Sequence, residues 1–142
     1  MAGFWVRFAA HIIDWVILTL VFVALERIAE ASLNLRLELN PEAIAAGVLT
    51  ALFLLLFYAV LFFAYFTYFH GAFGQTVGKM ILKIKVVNLN ENPIDYLTAF
   101  VRTLAYQASW SSLGLGFLWI TWDRRRQGWH DKIAETKVIR LA

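Results

Sequence analysis

The stretch from Ala43 to Phe69 constrains this chain most, because it carries no charged residue at all. A membrane-spanning helix needs about 20 consecutive apolar residues, so this stretch is long enough to cross a bilayer. Its end, Tyr65–His70, is rich in aromatic side chains, which collect where a span leaves the hydrocarbon. Pro41 stands where a first helical turn would begin. The sequence therefore predicts a transmembrane helix over residues 43–69.

A second apolar stretch, at residues 4–25, predicts another membrane helix. It could instead be a signal peptide, because Ala29–Ala31 resembles a cleavage site. However, the stretch is longer than the roughly 7–15 residues of a signal core. It also contains Arg7 and Asp14. These features favour a helix that is retained in the mature protein.

The composition supports a membrane protein. The 142 residues are 61% hydrophobic and 16% charged, whereas soluble domains average about 45–50% and 25%. The chain has no cysteine, which excludes disulfides, zinc–thiolate sites and thiol nucleophiles. Its net charge is +3, but basic residues beside apolar spans normally set membrane orientation. We therefore expect the lipid bilayer, and no nucleic acid, as a partner.

Two short segments read as strands rather than helices. Gly71–Lys79 interrupts the second helix, and in Ile81–Val87 lysines alternate with apolar residues, which is the pattern of a half-buried strand. Asp95 can cap a further helix that begins near Tyr96. Near the end of the chain, Thr136–Leu141 is a second candidate strand. We predict that the two segments pair beneath the helices.

The third apolar segment, residues 97–122, is interrupted by Arg102 and by Ser111–Gly116. The loop after the first helix is acidic and should lie outside, whereas the loop after the second helix and the tail are rich in Lys and Arg and should be cytoplasmic. One full span would place the tail outside, and two full spans do not fit. We therefore predict a broken or re-entrant segment that returns to the cytoplasmic side, with a single span as the rival.

Arg7, His11 and Asp14 follow at spacings of four and three residues, so they share one stripe of the first helix. An ionised carboxylate in mid-span is costly and must face protein or water. Asp14 is therefore either an ion, proton or substrate site or half of an Asp–Arg pair that holds helices together. His11 suits a proton relay or a hydrogen bond to Asp14.

Two other patterns carry less weight. Gly74–Lys79 superficially resembles a phosphate-binding loop, but Phe73 occupies the position of the first glycine and Met80 that of the Ser or Thr. Ser109, Ser111 and Ser112, with His130 and Asp131 downstream, supply the ingredients of a hydrolase without the nucleophile-elbow pattern. Small residues there serve close helix packing more simply. We expect no enzyme activity, no cofactor and no metal site.

Three blocks, in order along the chain, resemble the RDD family of membrane proteins, which is named for one arginine and two aspartates. The blocks are Gly3-Phe4-Trp5-x-Arg7-x-x-Ala10-x-x-x-Asp14, Gly74-Gln75-Thr76-x-Gly78-Lys79 and Gln127-Gly128-Trp129-His130-Asp131-Lys132-x-Ala134-x-Thr136.

By motif position, the resemblance makes Arg7 the family arginine, Asp14 the first aspartate and Asp131 the second. Arg102 also resembles a recurrent family arginine, and Glu135 departs from the family by replacing a small residue. The resemblance implies a bacterial or archaeal inner-membrane protein, for which transport is the customary suggestion.

The sequence thus predicts an all-α membrane protein with two transmembrane helices, a third broken or re-entrant apolar segment and a small cytoplasmic two-strand element. Residues 1–142 form one domain, with helices at about 4–25, 43–69 and 97–122. The N-terminus should be cytoplasmic, and the chain should form homo-oligomers because so few helices barely enclose a path.

The leading functional hypothesis is transport of a cation or proton, with Asp14 as the charged intramembrane site and Arg7 and His11 tuning it. The alternative is a scaffold or assembly factor whose Arg/Asp pairs are structural. We further predict that Asp14 pairs with Arg102 and that Asp131 pairs with Arg7. An Arg7–Asp14 contact within the first helix is the alternative pairing.

Overall fold

A computed structural model describes residues 1–33, 41–112 and 115–141. The chain is mostly helical, with elements in the order α1 (Phe4–Leu33), α2 (Pro41–Phe73), α3 (Val77–Ile81), β1 (Ile84–Asn88), α4 (Tyr96–Ser111), α5 (Leu115–Trp122), α6 (Trp129–Ile133) and β2 (Thr136–Arg140). It divides into two compact units. Unit 1 comprises residues 1–15 and 63–142, and unit 2 comprises residues 16–62.

The two long helices are the two candidate membrane spans of the described chain. The apolar ranges that could cross a bilayer are Phe4–Ala29 in α1 and Ile44–Phe73 in α2. In α2 the most apolar stretch of this range contains no buried side chain. An unburied apolar helix of this length does not resemble the core helix of a soluble protein and matches a lipid-facing span.

Both helices are longer than the sequence predicts. The helix α1 runs past residue 25 to Leu33, because the residues that follow, such as Glu26, Arg27 and Ala29, are good helix formers. The helix α2 begins at Pro41, as expected for a proline in a first turn. It ends four residues later than predicted, where Gly74 adopts a φ of 69°. Residues 34–40, in the predicted acidic loop, lie outside the described residues.

The described residues of unit 2 belong to the remaining parts of the two long helices. Many large apolar side chains on them are exposed, including Leu20, Leu49, Phe53 and Leu56. Phe22 and Tyr58 stack with ring centroids 4.5 Å apart. The surface of this unit is therefore apolar, as expected for helices that face lipid.

The third apolar segment is two helices, as the predicted break implies. The helix α4 has 16 residues and α5 has eight, and at about 1.5 Å per residue neither reaches the roughly 30 Å of a bilayer core. Leu113 and Gly114, within the predicted turn, lie outside the described residues. Gly116 packs so closely on α4 that an added Cβ would lie 2.5 Å from Ser109 Oγ.

The two predicted strands pair, which confirms the expectation, and they do so antiparallel. Ile84 lies opposite Arg140 and Asn88 opposite Thr136. The first strand begins three residues later than predicted, because Ile81 ends α3 and Lys83 then turns with a φ of 51°. The apolar core of unit 1 lies against this sheet and consists of Ala2, Ala10, Ile84, Val86, Ile94, Ala99 and Val138.

The start and the end of the chain meet at the sheet. The Ala2 amide donates to the Val138 carbonyl at 2.9 Å, and the Leu141 amide donates to the Lys83 carbonyl at 2.8 Å. The N-terminus, β1 and β2 therefore lie together.

Two short helices were not predicted, and each leads into a strand in the same way. After α3 and α6, the C-cap residues Leu82 and Ala134 have φ values of −91° and −92°. The next residues, Lys83 and Glu135, turn with φ values of 51° and 50°. The first residue of each paired strand follows directly. Gly74–Lys79, expected as a tight connection, thus contains the start of a short helix.

Candidate functional site

The charged residues of unit 1 meet around the carboxylate of Asp131. This residue lies in the first turn of α6, where its Oδ2 accepts a hydrogen bond from the Gly128 amide at 3.0 Å. Arg7 Nη1 lies 2.5 Å from Oδ2, and Arg102 Nη1 lies 2.5 Å from Oδ1. All three side chains are buried. The predicted Arg7–Asp131 pair is confirmed.

The predicted Asp14–Arg102 pair is wrong, because Arg102 turns to Asp131 instead. Arg102 Nη1 also donates to the Thr136 hydroxyl at the start of β2. Arg7 uses its other nitrogens on backbone carbonyls, with Nε donating to Ala2 at 3.1 Å and Nη2 donating to Arg126 at 2.8 Å. The two guanidinium groups thereby join α1, α4, α6 and β2.

Asp131 is held in its ionised form. Burial alone would raise the pKa of this carboxyl, but the positive charge nearby, that of Arg102 above all, outweighs burial and lowers the pKa. His130, next in sequence, is buried as well, and burial holds the pKa of its imidazole well below the usual value. A neutral histidine and an ionised aspartate therefore lie side by side.

Asp14 is fully buried and is held by neutral donors. Its Oδ1 accepts hydrogen bonds from the Tyr65 hydroxyl at 2.9 Å and from the Gly78 amide at 2.8 Å. Its Oδ2 accepts from the Thr76 hydroxyl at 2.5 Å. Among the described residues, no Lys or Arg lies within ion-pair distance of this carboxylate. Its surroundings therefore differ in kind from those of Asp131.

The motif around Gly78 explains how α3 reaches Asp14. Thr76 is the N-cap of α3 and accepts a hydrogen bond from the Lys79 amide. Gly78 packs against α1, where an added Cβ would lie 2.1 Å from the Ala10 carbonyl oxygen. Only a glycine permits that approach, so the residues that resemble a phosphate-binding loop serve contact with α1.

A third group consists of Lys79, His70 and Tyr106, all of them buried. Lys79 Nζ lies 2.5 Å from His70 Nε2, and His70 Nδ1 lies 2.8 Å from the Phe66 carbonyl oxygen. The carbonyl needs a proton on Nδ1, so Nε2 accepts from the lysine. Lys79 also donates to the Tyr106 hydroxyl at 3.5 Å. Burial lowers the pKa of the Lys79 ammonium, and the charge on Arg102 adds to that effect.

His11 lies next to this group. Its Nε2 accepts a hydrogen bond from the Trp15 indole at 3.2 Å. Its ring stacks on Tyr106 with centroids 5.6 Å apart. The structure thus brings four of the predicted site residues to the surroundings of Tyr106, namely Arg7, Arg102, Asp131 and His11. The fifth, Asp14, instead contacts Gly78 of α3 and Tyr65.

Of the residues that could form a hydrolase site, Ser109, His130 and Asp131 come together, but as packing. Ser109 Oγ lies 3.4 Å from His130 Nδ1, and His130 Nε2 lies 3.6 Å from Asp131 Oδ1. However, the serine donates its proton to the Ala105 carbonyl at 3.1 Å and is fully buried against Gly116. A nucleophile must reach its substrate, and this hydroxyl has no such access.

A cavity of about 180 Å³ lies among these side chains. It is lined by Phe4, Arg7, Phe8, His11, Lys79, Arg102, Tyr106, Phe117, Leu118, Ile120, His130 and Val138. Three cations therefore face an otherwise mostly apolar space. In the described part of the chain, no group of three or more His, Asp and Glu side chains is placed to hold a metal ion.

Comparison with known proteins places these residues in context. The family model described as "RDD family" matches residues 1–135. The chain is 30% identical to the "Uncharacterized membrane protein YteJ" of Bacillus subtilis, over 97% of this chain and 80% of that protein. It is 28% identical to the "Uncharacterized protein YxaI" of the same organism, over 97% and 96%. A "Proline-rich antigen homolog" of Mycobacterium tuberculosis is 38% identical over 51% of this chain and 30% of that protein. No solved structure matches.

Proposed function

The chain belongs to the RDD family of membrane proteins, and from this premise we propose that it is a transport-related protein with Asp14 as its charged intramembrane site. The observation that supports the proposal is the neutral shell of that carboxylate. Three donors hold Asp14 in a fully buried position of a candidate membrane span. A buried ionisable group in such a helix is a functional site by default.

The atoms around Asp14 suit a proton or a small cation. Its two carboxylate oxygens lie beside the hydroxyl oxygens of Tyr65 and Thr76, and oxygen atoms are the ligands that hard cations prefer. No direct ion pair with a described residue neutralises Asp14, so binding of a positive charge would relieve a buried negative one. Asp131 has no comparable need for a bound cation, because two arginines already neutralise its charge.

The scaffold hypothesis gains from a different observation. Arg7, Asp131 and Arg102 tie together four elements through buried ion pairs, which is the geometry of a structural lock. We therefore assign these three residues to holding the fold and assign Asp14 alone to transport. The two roles divide the family residues between them, which makes them separable by mutation.

We also propose the membrane arrangement. The N-terminus, β1 and β2 lie together, and the sequence in and shortly before the two strands carries the basic residues Lys83, Lys85 and Arg124–Arg126. By the positive-inside rule, segments rich in Lys and Arg beside membrane spans lie on the cytoplasmic side of the inner membrane. We further propose that residues 1–142 act as one domain, that α4 and α5 enter the membrane without crossing it, and that the chain forms homo-oligomers without enzyme activity.

Ion flux into liposomes tests the transport proposal. The purified protein is reconstituted, and uptake of Na⁺, K⁺ and protons is followed across a pH gradient. Asp14→Asn keeps the shape of the side chain and removes its charge, so flux should fall to the rate of protein-free liposomes. The matched control is Glu91→Gln, which removes an exposed carboxylate that pairs with Lys137, and it should keep the wild-type rate.

The same assay distinguishes the transport hypothesis from the scaffold hypothesis. If Asp14→Asn folds, reaches normal abundance and transports at the wild-type rate, the transport assignment is wrong. A loss of folded protein in Asp14→Asn, with flux per folded molecule unchanged, would support the structural role instead.

A further inference from the structure

We propose that the cavity of unit 1 binds the anionic group of a small amphiphile, a carboxylate or phosphate joined to hydrocarbon. The proposal concerns the cavity between α1, α4 and α5, and it does not depend on transport through Asp14. Its grounds are the charge of the lining, an unsatisfied donor and the apolar side chains around the rest of the space.

The charges that line the cavity do not balance. Arg7, Lys79 and Arg102 face it, and among the described residues Asp131 supplies the one carboxylate within ion-pair distance of the two arginines. Among the described residues, no carboxylate lies within ion-pair distance of Lys79, whose contacts are the neutral His70 and Tyr106. An isolated buried ammonium is costly unless a counter-charge reaches it. A bound anion would supply that charge.

A hydrogen-bond donor is also left over. The buried Nε–H of Arg102 has no hydrogen-bond partner among the described residues. Arg102 is 1% exposed, so bulk water does not satisfy this group. Guanidinium and ammonium donors that converge on one space are the usual means of holding a carboxylate or a phosphate.

Most of the other residues that line the cavity are apolar or aromatic, which favours an amphiphile over a purely ionic ligand. Phe4, Phe117 and Ile120 line it beside the cations, and Phe8 and Leu118 line it while also being exposed at 43% and 39%. Those two residues place the opening of the cavity among side chains that face outward. Phe8 belongs to the candidate membrane span of α1, so the opening faces hydrocarbon when the helix is in a bilayer.

The volume sets the size of the part that fits. A cavity of roughly 150 Å³ accommodates benzene, and this cavity is about 180 Å³. It therefore holds one anionic group with a few carbon atoms, and a longer chain would continue past Phe8 and Leu118 into the lipid. Such a ligand could come from the bilayer, as an acidic lipid, or from water, as a free aliphatic acid. Both share the same recognised chemistry.

Native mass spectrometry of the full chain in neutral detergent tests the proposal, because it counts bound molecules directly. Two pairs of probes are compared, decanoate with decanol and phosphatidic acid with diacylglycerol. We expect saturable binding of one molecule of at least one anionic probe and none of its neutral counterpart. Binding of phosphatidic acid alone identifies the bilayer as the source, and binding of decanoate alone identifies water. Equal binding of charged and neutral probes, binding of neither anion, or inorganic phosphate binding as tightly as both would overturn the proposal.

Variants locate the site. Lys79→Met should weaken anion binding about 10- to 100-fold, the range for one charge-assisted hydrogen bond. Lys83→Met removes an exposed lysine and should leave binding unchanged. Asp14→Asn should bind the anion at least as tightly as wild type, because it removes a nearby negative charge.

A photoactivatable analogue of decanoate provides a readout that does not depend on variants folding. If the proposal holds, the wild-type protein should be labelled in the peptides that contain Phe8 or Leu118. Labelling confined to other peptides, or wild-type affinity in Lys79→Met, would contradict it.

Discussion

The ion pairs of Asp131 lead to a quantitative prediction for Asp131→Asn. The substitution keeps the shape of the side chain and leaves Arg7 and Arg102 buried without a counter-charge. Removing one partner from a buried pair costs about 3–5 kcal/mol. Asp123→Asn is the matched control, because Asp123 pairs with Lys132, which is 43% exposed. Pairs of that kind contribute about 0–1 kcal/mol, so the two variants should differ in stability by at least about 2 kcal/mol.

The free energy of unfolding can be measured by denaturant titration of the purified protein in mild detergent. The triple variant Arg7→Met, Asp131→Leu, Arg102→Met sharpens the test, since replacing all members of a buried ionic group with apolar residues is often neutral or stabilising. It should be more stable than Asp131→Asn alone. If Asp131→Asn and Asp123→Asn cost the same, or if the triple variant is the least stable, the view of Asp131 as the centre of a buried lock is refuted.

Three further predictions follow from the same structure. Gly78→Ala should destabilise the protein strongly, because its Cβ would lie 2.1 Å from a backbone oxygen, whereas Gly47→Ala, with nothing within 4 Å, should be neutral or stabilising by up to about 1 kcal/mol in the same denaturant titration. Because the folded pKa of Asp131 is lowered, its contribution to stability is present above its unfolded pKa of about 3.9 and declines as pH falls below it, so unfolding followed from pH 6 to 3 should show a shallower loss in Asp131→Asn. In the cysteine-free chain, Asn90→Cys should react with an impermeant thiol reagent only from the cytoplasmic side and Ala31→Cys only from outside; the reverse pattern would contradict the proposed orientation.

The sequence predicts contacts between distant residues correctly where the side of the membrane on which each segment lies is enough to bring them together. Arg7 lies near the start of the first helix and Asp131 lies in a basic tail, so placing both at one side of the membrane was enough to predict their pairing. The paired strands followed in the same way, from alternation and from charge. The first inference needed only the side on which each residue lies, and the second also needed the alternation of lysines with apolar residues.

The Asp14–Arg102 prediction failed because it assumed that a buried carboxylate needs a charged partner. In the structure Asp14 is satisfied by Tyr65, Thr76 and Gly78, two hydroxyls and one amide. These donors reach it because α3 packs on α1 through a glycine. Helices of five residues such as α3 are too short to show a 3.6-residue period, so the hydrophobic pattern does not predict them.

The group of Lys79, His70 and Tyr106 was also missed as a unit. The three residues belong to α3, the end of α2 and α4, and no spacing along the sequence connects them. One signal was available, since Lys79 ends the second motif block quoted for the resemblance, and Gly74 and Gly78 before it bring the backbone close to other elements. Because the backbone beside Lys79 packs closely on other elements, the lysine side chain has little freedom to reach water.

The sheet has a consequence for biosynthesis. The strand β1 pairs with β2, near the end of the described chain, and Asp131 becomes available to Arg7 only when the same region has been made. Contacts between such distant parts of a sequence form late, because a long loop must close first. The two apolar spans can therefore enter the bilayer during translation with Arg7 still without its carboxylate. Quality control of this protein should act on that interval, and a ribosome stalled before residue 131 should leave a membrane-inserted chain that proteases remove.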